Sequence, residues 1–441
     1  MRSERHRPCH RQVPLRRAGT VRGSIRALSA GGRNGNMPMR DNRFSQKPFL
    51  FPELSNGVVL EPSSRQLTWT LCIATLNRLP ILTRAIRLAL QQSRMPSQIV
   101  VVDASDNWQE HADTIRPLTE AAGVPLAYLE APKRSGAAQR NRCIAHATGD
   151  ILFVLDDDSL MYPDCAAEIL KLYEADTENE IAAIGCRHVP VPPEEASRDR
   201  PPETEARKND VGDLSRGLRG WLRTNAFLRW INNEVFMQSS GKKIVPFDPP
   251  GTHVKTARAV EDGRISAPYV TFIAGYALTV RRSVAEKEPF EDALMAYSPT
   301  EDLDATYRFG RHGVKIVAPA ARLHHFETAR GRIGRATAVE LSAMNVAYYI
   351  RRSGNQGALQ RAYYALMRRR ILAEFLKDGL TGRFDLPQMR GMMRGVRSAR
   401  RIFDHADDGL KAWYEARQLQ ALGWTSARAA APGQTSNAEA K

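Results

Sequence analysis

Three consecutive carboxylates, Asp156, Asp157 and Asp158, close the apolar run 151–155. Adjacent acids repel, and each loses hydration when drawn toward a core, so such a triplet calls for a counter-charge. A divalent cation that prefers oxygen, Mg2+ or Mn2+, supplies it and leaves positions for phosphate oxygens. The plain alternative is a solvated acidic turn leading into a helix near Pro163. Other groups along the chain could join such chemistry. Thr75, Asn77 and Arg78 form one polar cluster; Asp103, Ser105 and Asp106 form a second. Glu301, Asp302 and Asp304 offer carboxylates able to take a proton, and His324 and His325 offer imidazole nitrogens.

The first three clusters each follow a run of strand length. Segments 67–74, 98–103, 126–130, 151–155 and 181–186 read as strands. Between them, Pro80 opens a helix with Ile81, Leu82, Ala85, Ile86, Ala89 and Leu90 at helical spacing. A second helix is expected over 109–122. A third, over 136–147, is capped by Ser135 and closed by Gly149. A fourth carries Ala166, Ile169, Leu170 and Tyr173 on one face. Strands alternating with helices predict an α/β fold, a mostly parallel sheet with helices on both faces. In such sheets ligands sit at the carboxyl ends of strands, so the three polar clusters are expected to converge on one edge. Beyond them, 269–280 reads as a strand around Gly275, a helix passes through Tyr307 and Arg308, and 314–317 reads as a strand.

The chain has 441 residues, 42% of them hydrophobic and 25% charged, the balance of a soluble globular protein. No apolar run is long enough to span a bilayer, and no signal-peptide core stands at the N-terminus, so a cytoplasmic protein is expected. The five cysteines (Cys9, Cys72, Cys143, Cys165, Cys186) lack paired spacing and read as reduced core thiols. Residues 1–47 supply +10 of the net charge of +16. That basic tail is expected to be disordered, and Met37 or Met39 is an alternative start. Four regions follow: a basic tail over 1–64, an α/β domain over 65–330, a helical region over 331–425 and a disordered end over 426–441. The Pro- and charge-rich stretch 190–215 reads as a mobile insertion or lid.

Taken together and in order, these pieces resemble an inverting family 2 glycosyltransferase with the GT-A nucleotide-sugar-binding fold, over roughly 67–330. The resemblance rests on 75–78, on 101–105, on 136–141 ahead of 147–150, and on Asp156–Asp158. It continues through Gly275 with 280–282, Glu301 to Asp304 with Arg308, and His325. It implies a nucleotide site lined by Thr75, Asn77 and Arg78, with Asp103 accepting a hydrogen bond from the base and Arg134 nearby. It implies Asp156 toward the ribose, a Mn2+ or Mg2+ held by Asp156, Asp158 and His325 (or His324), and Asp302 as catalytic base. The implied partners are a nucleotide-sugar donor and a saccharide or lipid-linked acceptor, in cell-surface polysaccharide or glycoconjugate synthesis. UDP is favoured on Asp103 alone, with dTDP and GDP open. Two departures bear on the acceptor: the usual aromatic-acid-acid turn is diluted to 290–295, and the insertion at 190–215 is long.

The chemistry agrees with those roles. A departing diphosphate gains negative charge, which a cation offsets. The attacking hydroxyl loses a proton to one carboxylate, and in-line attack inverts the anomeric carbon without a covalent partner. Plainer roles stand beside these. Arg140 and Asn141 read equally well as anchors of a helix to the sheet, and Asp304 with Arg308 as a surface ion pair. Glu301 and Asp302 also suit the first turn of a helix. A sugar-nucleotide nucleotidyltransferase is the competing enzyme class, but the loop at 75–80 has no glycine to hold a triphosphate. A nucleic-acid-binding protein would rest on the basic tail and the Arg-rich C-terminal region, without an ordered stacking-aromatic motif, so no specific nucleic acid is expected. In the helical region, arginines near Tyr348, Tyr349, Ile350, Tyr363, Tyr364 and Leu366 suggest peripheral contact with an anionic membrane.

Overall fold

Every residue of β4 (Ile151–Asp156) is buried, because strands flank it on both edges and helices cover both faces of the sheet. On one side it pairs in parallel with β1 (Trp69–Thr75), which pairs in parallel with β2 (Gln98–Asp103) and so with β3 (Leu126–Glu130). On the other side it meets β7 (Leu278–Arg281) in antiparallel fashion, and then come β6 (Ile181–His188), β8 (Val314–His325) and β5 (Ser159–Met161). The eight-stranded order among the described residues is β3-β2-β1-β4-β7-β6-β8-β5. It is the mixed, mostly parallel sheet that the alternation predicted. The computed structural model describes residues 66–196, 230–237, 252–327, 333–354 and 356–430, all within the unit Val58–Lys441.

Side chains alternate across the strands and feed two cores. Trp69, Leu71, Ile73, Ile151 and Phe153 face α1 (Leu79–Leu90), α2 (Trp108–Ala121) and α4 (Cys165–Ala175). Cys72, Val100, Leu152 and Val154 face α3 (Gly136–His146) and, beyond it, the C-terminal helices. Ser135 caps α3 as expected, its Oγ accepting from the Ala138 N–H at 3.2 Å. Gly149 does not close that helix. It lies where a Cβ would stand 2.7 Å from the Thr70 nitrogen, so only glycine admits β1 this close.

Two expected strands change. Only Leu278–Arg281 of 269–280 joins the sheet in a named strand; Tyr269 makes an isolated bridge to Ile316, and Gly275–Ala277 is a 3-10 turn. Conversely, β8 runs on from 317 to His325. Cys186 pairs with Ala318 but Arg187 with Arg322, so Pro319 falls in a bulge, where its missing N–H costs no ladder bond.

Four helices follow α5 (Glu301–Phe309): α6 (Arg335–Arg352), α7 (Gln356–Leu380), α8 (Pro387–Asp404) and α9 (Leu410–Leu422). Tyr348, Tyr349, Ile350 and Tyr363 are buried in their core, so the aromatic face suggested for membrane contact is not exposed. The chain also stays structured past 425. Ser426–Ala429 forms a helical turn capped by Thr425, whose Oγ1 accepts from the Arg428 N–H. The tail over 1–64, most of the 190–215 insertion and the end beyond 430 lie outside the described residues.

Candidate active site

The register of the sheet places Thr75 beside Asp103 and Ala74 beside Asp156, so the ends of β1, β2 and β4 meet as the spacing predicted. A cleft of about 730 Å³ opens there. Its walls include Thr75, Asn77, Arg78, Arg134, Asp156, Asp157, Asp158 and His325. Pro80 starts α1 just behind Arg78, and Asn77 takes a positive φ of 55° to turn the chain between strand and helix.

The three aspartates part company at the strand end. Asp157 turns toward β1, accepting from Thr75 Oγ1 and Arg78 Nη1, each at 2.7 Å. Burial pushes its carboxyl up to about 6, with Arg78 and Thr75 pulling the other way. Asp158 lies 3.1 Å from His325 Nε2, whose ring stacks on Tyr276 at 4.4 Å. Burial disfavours the imidazolium, but the Asp158 carboxylate outweighs it and raises the histidine's pKa. One ligand atom each from Asp156, Asp158 and His325 lie within 4.8 Å of one another. Two carboxylates and an imidazole suit Mn2+ or Mg2+, and each engaged oxygen keeps a second lone pair. His324 turns away, its Nδ1 2.9 Å from the Val189 carbonyl.

Asp156 is held from two sides. Arg140 Nη2 donates to its Oδ1 at 2.6 Å, and the Tyr297 hydroxyl to its Oδ2 at 2.5 Å. The other arm of Arg140 pairs with Glu301, and the guanidinium lies between the rings of Phe290 and Tyr297. Arg140 is therefore more than a helix anchor; it links the metal-site acid to the helix that carries the candidate base. Asn141 is the anchor, exchanging two hydrogen bonds with the Phe290 backbone. Replacing Arg140 by Met strands two buried carboxylates without their cation. The expected loss is about 3–5 kcal/mol of unfolding free energy, read by urea denaturation.

Asp302 sits in the first turn of α5, where Gly275 N–H donates to its Oδ2 at 3.0 Å and Leu303 N–H to its Oδ1 at 2.8 Å. A Cβ on Gly275 would lie 3.4 Å from Arg140 Nη2, 3.7 Å from Asp156 Oδ1 and 3.7 Å from the Asp302 Cβ. The glycine thus marks the point where the candidate metal ligands and Asp302 approach each other. Burial raises the Asp302 carboxyl above the ordinary aspartate range, and Glu301 is pushed up to about 7 by burial against the pull of Arg140. Asp304 is fully buried, bonded to Arg308 and Arg352, so its pair with Arg308 is internal and not on the surface.

Asp103 does not reach the cleft. Its Oδ1 accepts from the Ser105 N–H and hydroxyl, and its Oδ2 lies 2.7 Å from both His111 Nδ1 and the Tyr128 hydroxyl. With its oxygens taken and the side chain fully buried, it offers nothing to a base, and the preference for uracil loses its residue. Among the cleft residues, Tyr297, Trp424 and Arg428 had no signal in the sequence. They arrive from a loop and from the end of the helical region, which only the tertiary fold brings near.

The segment before Asp302 is held from the C-terminal side. Gln418 donates to the Ala293 carbonyl at 2.6 Å and accepts from the Met295 N–H at 3.1 Å. Asn345 donates to Ser298 Oγ and the Pro299 carbonyl, and the Tyr349 hydroxyl donates to the Thr300 carbonyl. These supports hold Ala296 and Thr300 in left-handed conformations, with φ of 59° and 73°.

A strand-end cleft with three candidate metal ligands near a raised carboxyl is an arrangement suited to metal-assisted group transfer. Residues 70–226 match the model of glycosyl transferase family 2. Over those residues the chain is similar to that family, and the strands they contribute lie in the mixed, mostly parallel sheet described above. The uncharacterized glycosyltransferase YwdF of Bacillus subtilis (strain 168) is 27% identical over 106 residues, 24% of this chain and 38% of that protein. The match therefore spans well under half of the relative's length. Among solved structures, the mannosyltransferase PcManGT from Pyrobaculum calidifontis, in complex with GDP-Man and Mn2+, aligns over 84% of this chain and 91% of its own. Its identity is 14% and its TM-score 0.41. S. aureus TarS 1-349 aligns over 76% and 92%, at 12% identity and a TM-score of 0.36.

Proposed function

We propose that the chain transfers a sugar, with inversion, from a nucleoside-diphosphate donor to a hydroxyl of a saccharide or lipid-linked acceptor. The observation that carries this is the clustering of Asp156, Asp158 and His325 in a cleft at the strand ends, with Asp302 behind its wall, its Cβ and Asp156 Oδ1 each 3.7 Å from where a Gly275 Cβ would lie. A Mn2+ or Mg2+ bound by those three residues would supply Lewis-acid stabilisation of the departing diphosphate. Thr75, Asn77, Arg78 and Arg134 line the nucleotide side. Asp302, fixed by two backbone N–H groups, takes the acceptor's proton. Arg140 keeps Asp156 in place while Glu301 balances its charge. The test is thermal: with Mn2+ present, UDP, dTDP and GDP are compared for their shift in melting temperature. A ligand at 100 times its Kd adds about 2.7 kcal/mol. A shift with one of them identifies the donor's base; none with any of them removes the donor reading.

The acceptor's location follows from a different surface. Among the described residues, Leu372, Phe375, Leu380 and Phe384 are 56%, 44%, 75% and 83% exposed, all at one end of α7. Exposed Arg368, Arg369 and Arg383 flank them, with Arg369 also 3.2 Å from Glu234. No described helix is long and apolar enough to cross a membrane. Exposed apolar side chains interspersed with arginines fit an anionic lipid surface, at the cytoplasmic face, where each basic residue contributes about 1 kcal/mol. The chain should float with phosphatidylserine vesicles, less so as salt rises, and Phe384→Ser should weaken it. Flotation unchanged by Phe384→Ser, or a stable dimer in place of vesicle binding, overturns this site.

A further inference from the structure

Part of the cleft wall belongs to the end of the helical region. Leu422, Trp424 and Arg428 line the same cavity as Asp156, Asp158 and His325. Gly423, at a φ of 65°, turns the chain sharply after α9. The segment is then tied to the cleft edge by backbone: Arg134 N–H donates to the Ala429 carbonyl at 3.1 Å, and Lys133 bridges Ala430 in antiparallel fashion. The Lys133 ammonium also pairs with Glu415 at 2.8 Å. The segment after α9 is thus a strap tied along one edge of the cleft, at Lys133 and Arg134.

Three arginines line the cleft, and two are already matched with acids. Arg78 meets Asp157 at 2.7 Å and Asp158 at 3.5 Å; Arg134 meets Asp106 at 2.5 Å. Arg428 forms no ion pair among the described residues. Its exposed guanidinium lies over the Trp424 ring, 5.1 Å from the ring centre, a cation–π contact. The buried Nε of Arg134 also has no hydrogen-bond partner. An uncommitted guanidinium in a cleft shared with metal-binding carboxylates suits an anion with several oxygens, and phosphate accepts its forked donors in pairs.

We propose that Arg428, held in place by Trp424, binds the diphosphate of the nucleotide donor, so that the C-terminal strap completes the donor site. The proposal rests on the donor reading above. It gives Trp424 a positioning role and Arg428 a direct contact, one that strengthens as the leaving diphosphate gains charge.

Isothermal titration on the full chain with Mn2+ tests it, using whichever of UDP, dTDP and GDP binds, and the matching nucleoside. Arg428→Ala should weaken the diphosphate about tenfold or more and the nucleoside by no more than about twofold. Arg428→Lys should recover part of the loss, and Trp424→Ala should fall between. An Arg428→Ala variant that binds the diphosphate like wild type overturns the assignment while the donor reading stands. So does an equal loss for diphosphate and nucleoside, which marks a structural role. Wild type that binds none of the three diphosphates removes the donor reading, and the assignment goes with it.

Discussion

Asp302→Asn should lower kcat by about 10²–10⁴-fold while leaving the donor's Kd within a small factor of wild type. The substitution keeps the shape and one of the two backbone N–H bonds, since an amide has a single accepting oxygen, and it removes the ability to take a proton. The pH profile gives a second reading. Burial raises the Asp302 carboxyl, and the active form is the carboxylate. Wild-type kcat/KM should therefore rise with pH through a value above the ordinary aspartate range and then level off. Asp302→Asn should lose that limb. Glu301→Gln should keep it, because Glu301 faces Arg140 and is not placed to meet an acceptor. A limb that vanishes with Glu301→Gln and survives Asp302→Asn would move the base to Glu301.

Asp158→Ala should abolish saturable Mn2+ binding and reduce transfer by about 10²–10³-fold, as expected when several kcal/mol of Lewis-acid stabilisation is withdrawn. The fold should survive, since Asp157 keeps its bonds to Thr75 and Arg78. Mn2+ titration followed by electron paramagnetic resonance reads the site without turnover. Bound Mn2+ in the variant equal to wild type, or full activity in excess chelator, would sink the metal assignment.

The α/β order was readable because burial imposes a plain pattern: a strand covered on both faces, such as Ile151–Asp156, is apolar until it meets the edge. The convergence of Thr75, Asp103 and Asp156 followed from parallel pairing alone. Which way each side chain turns did not. Asp103 faces inward because His111 and Tyr128, on two other elements, supply its hydrogen bonds, and no local spacing encodes that meeting. Asp157 and Asp158 look alike in sequence, yet one answers Thr75 and the other His325. Pro319 hid the length of β8, since a proline argues against a strand unless a bulge is there to receive it. Arg140 seemed an anchor because its second partner, Glu301, lies 161 residues away.

The bonds from Asn345, Tyr349 and Gln418 to residues 293–300 bear on how such enzymes can be cut and recombined. The segment leading to the base has its scaffold on the far side of the chain, so the sheet and the helices are not interchangeable modules. A sheet domain ended near residue 330 would keep Asp156, Asp158 and His325 but lose the frame that holds the segment leading to Asp302. Grafting the helices of a relative onto this sheet would import a different geometry at 293–300 along with them. Exchange of parts between relatives is therefore constrained to boundaries that carry 293–300 and 335–430 together.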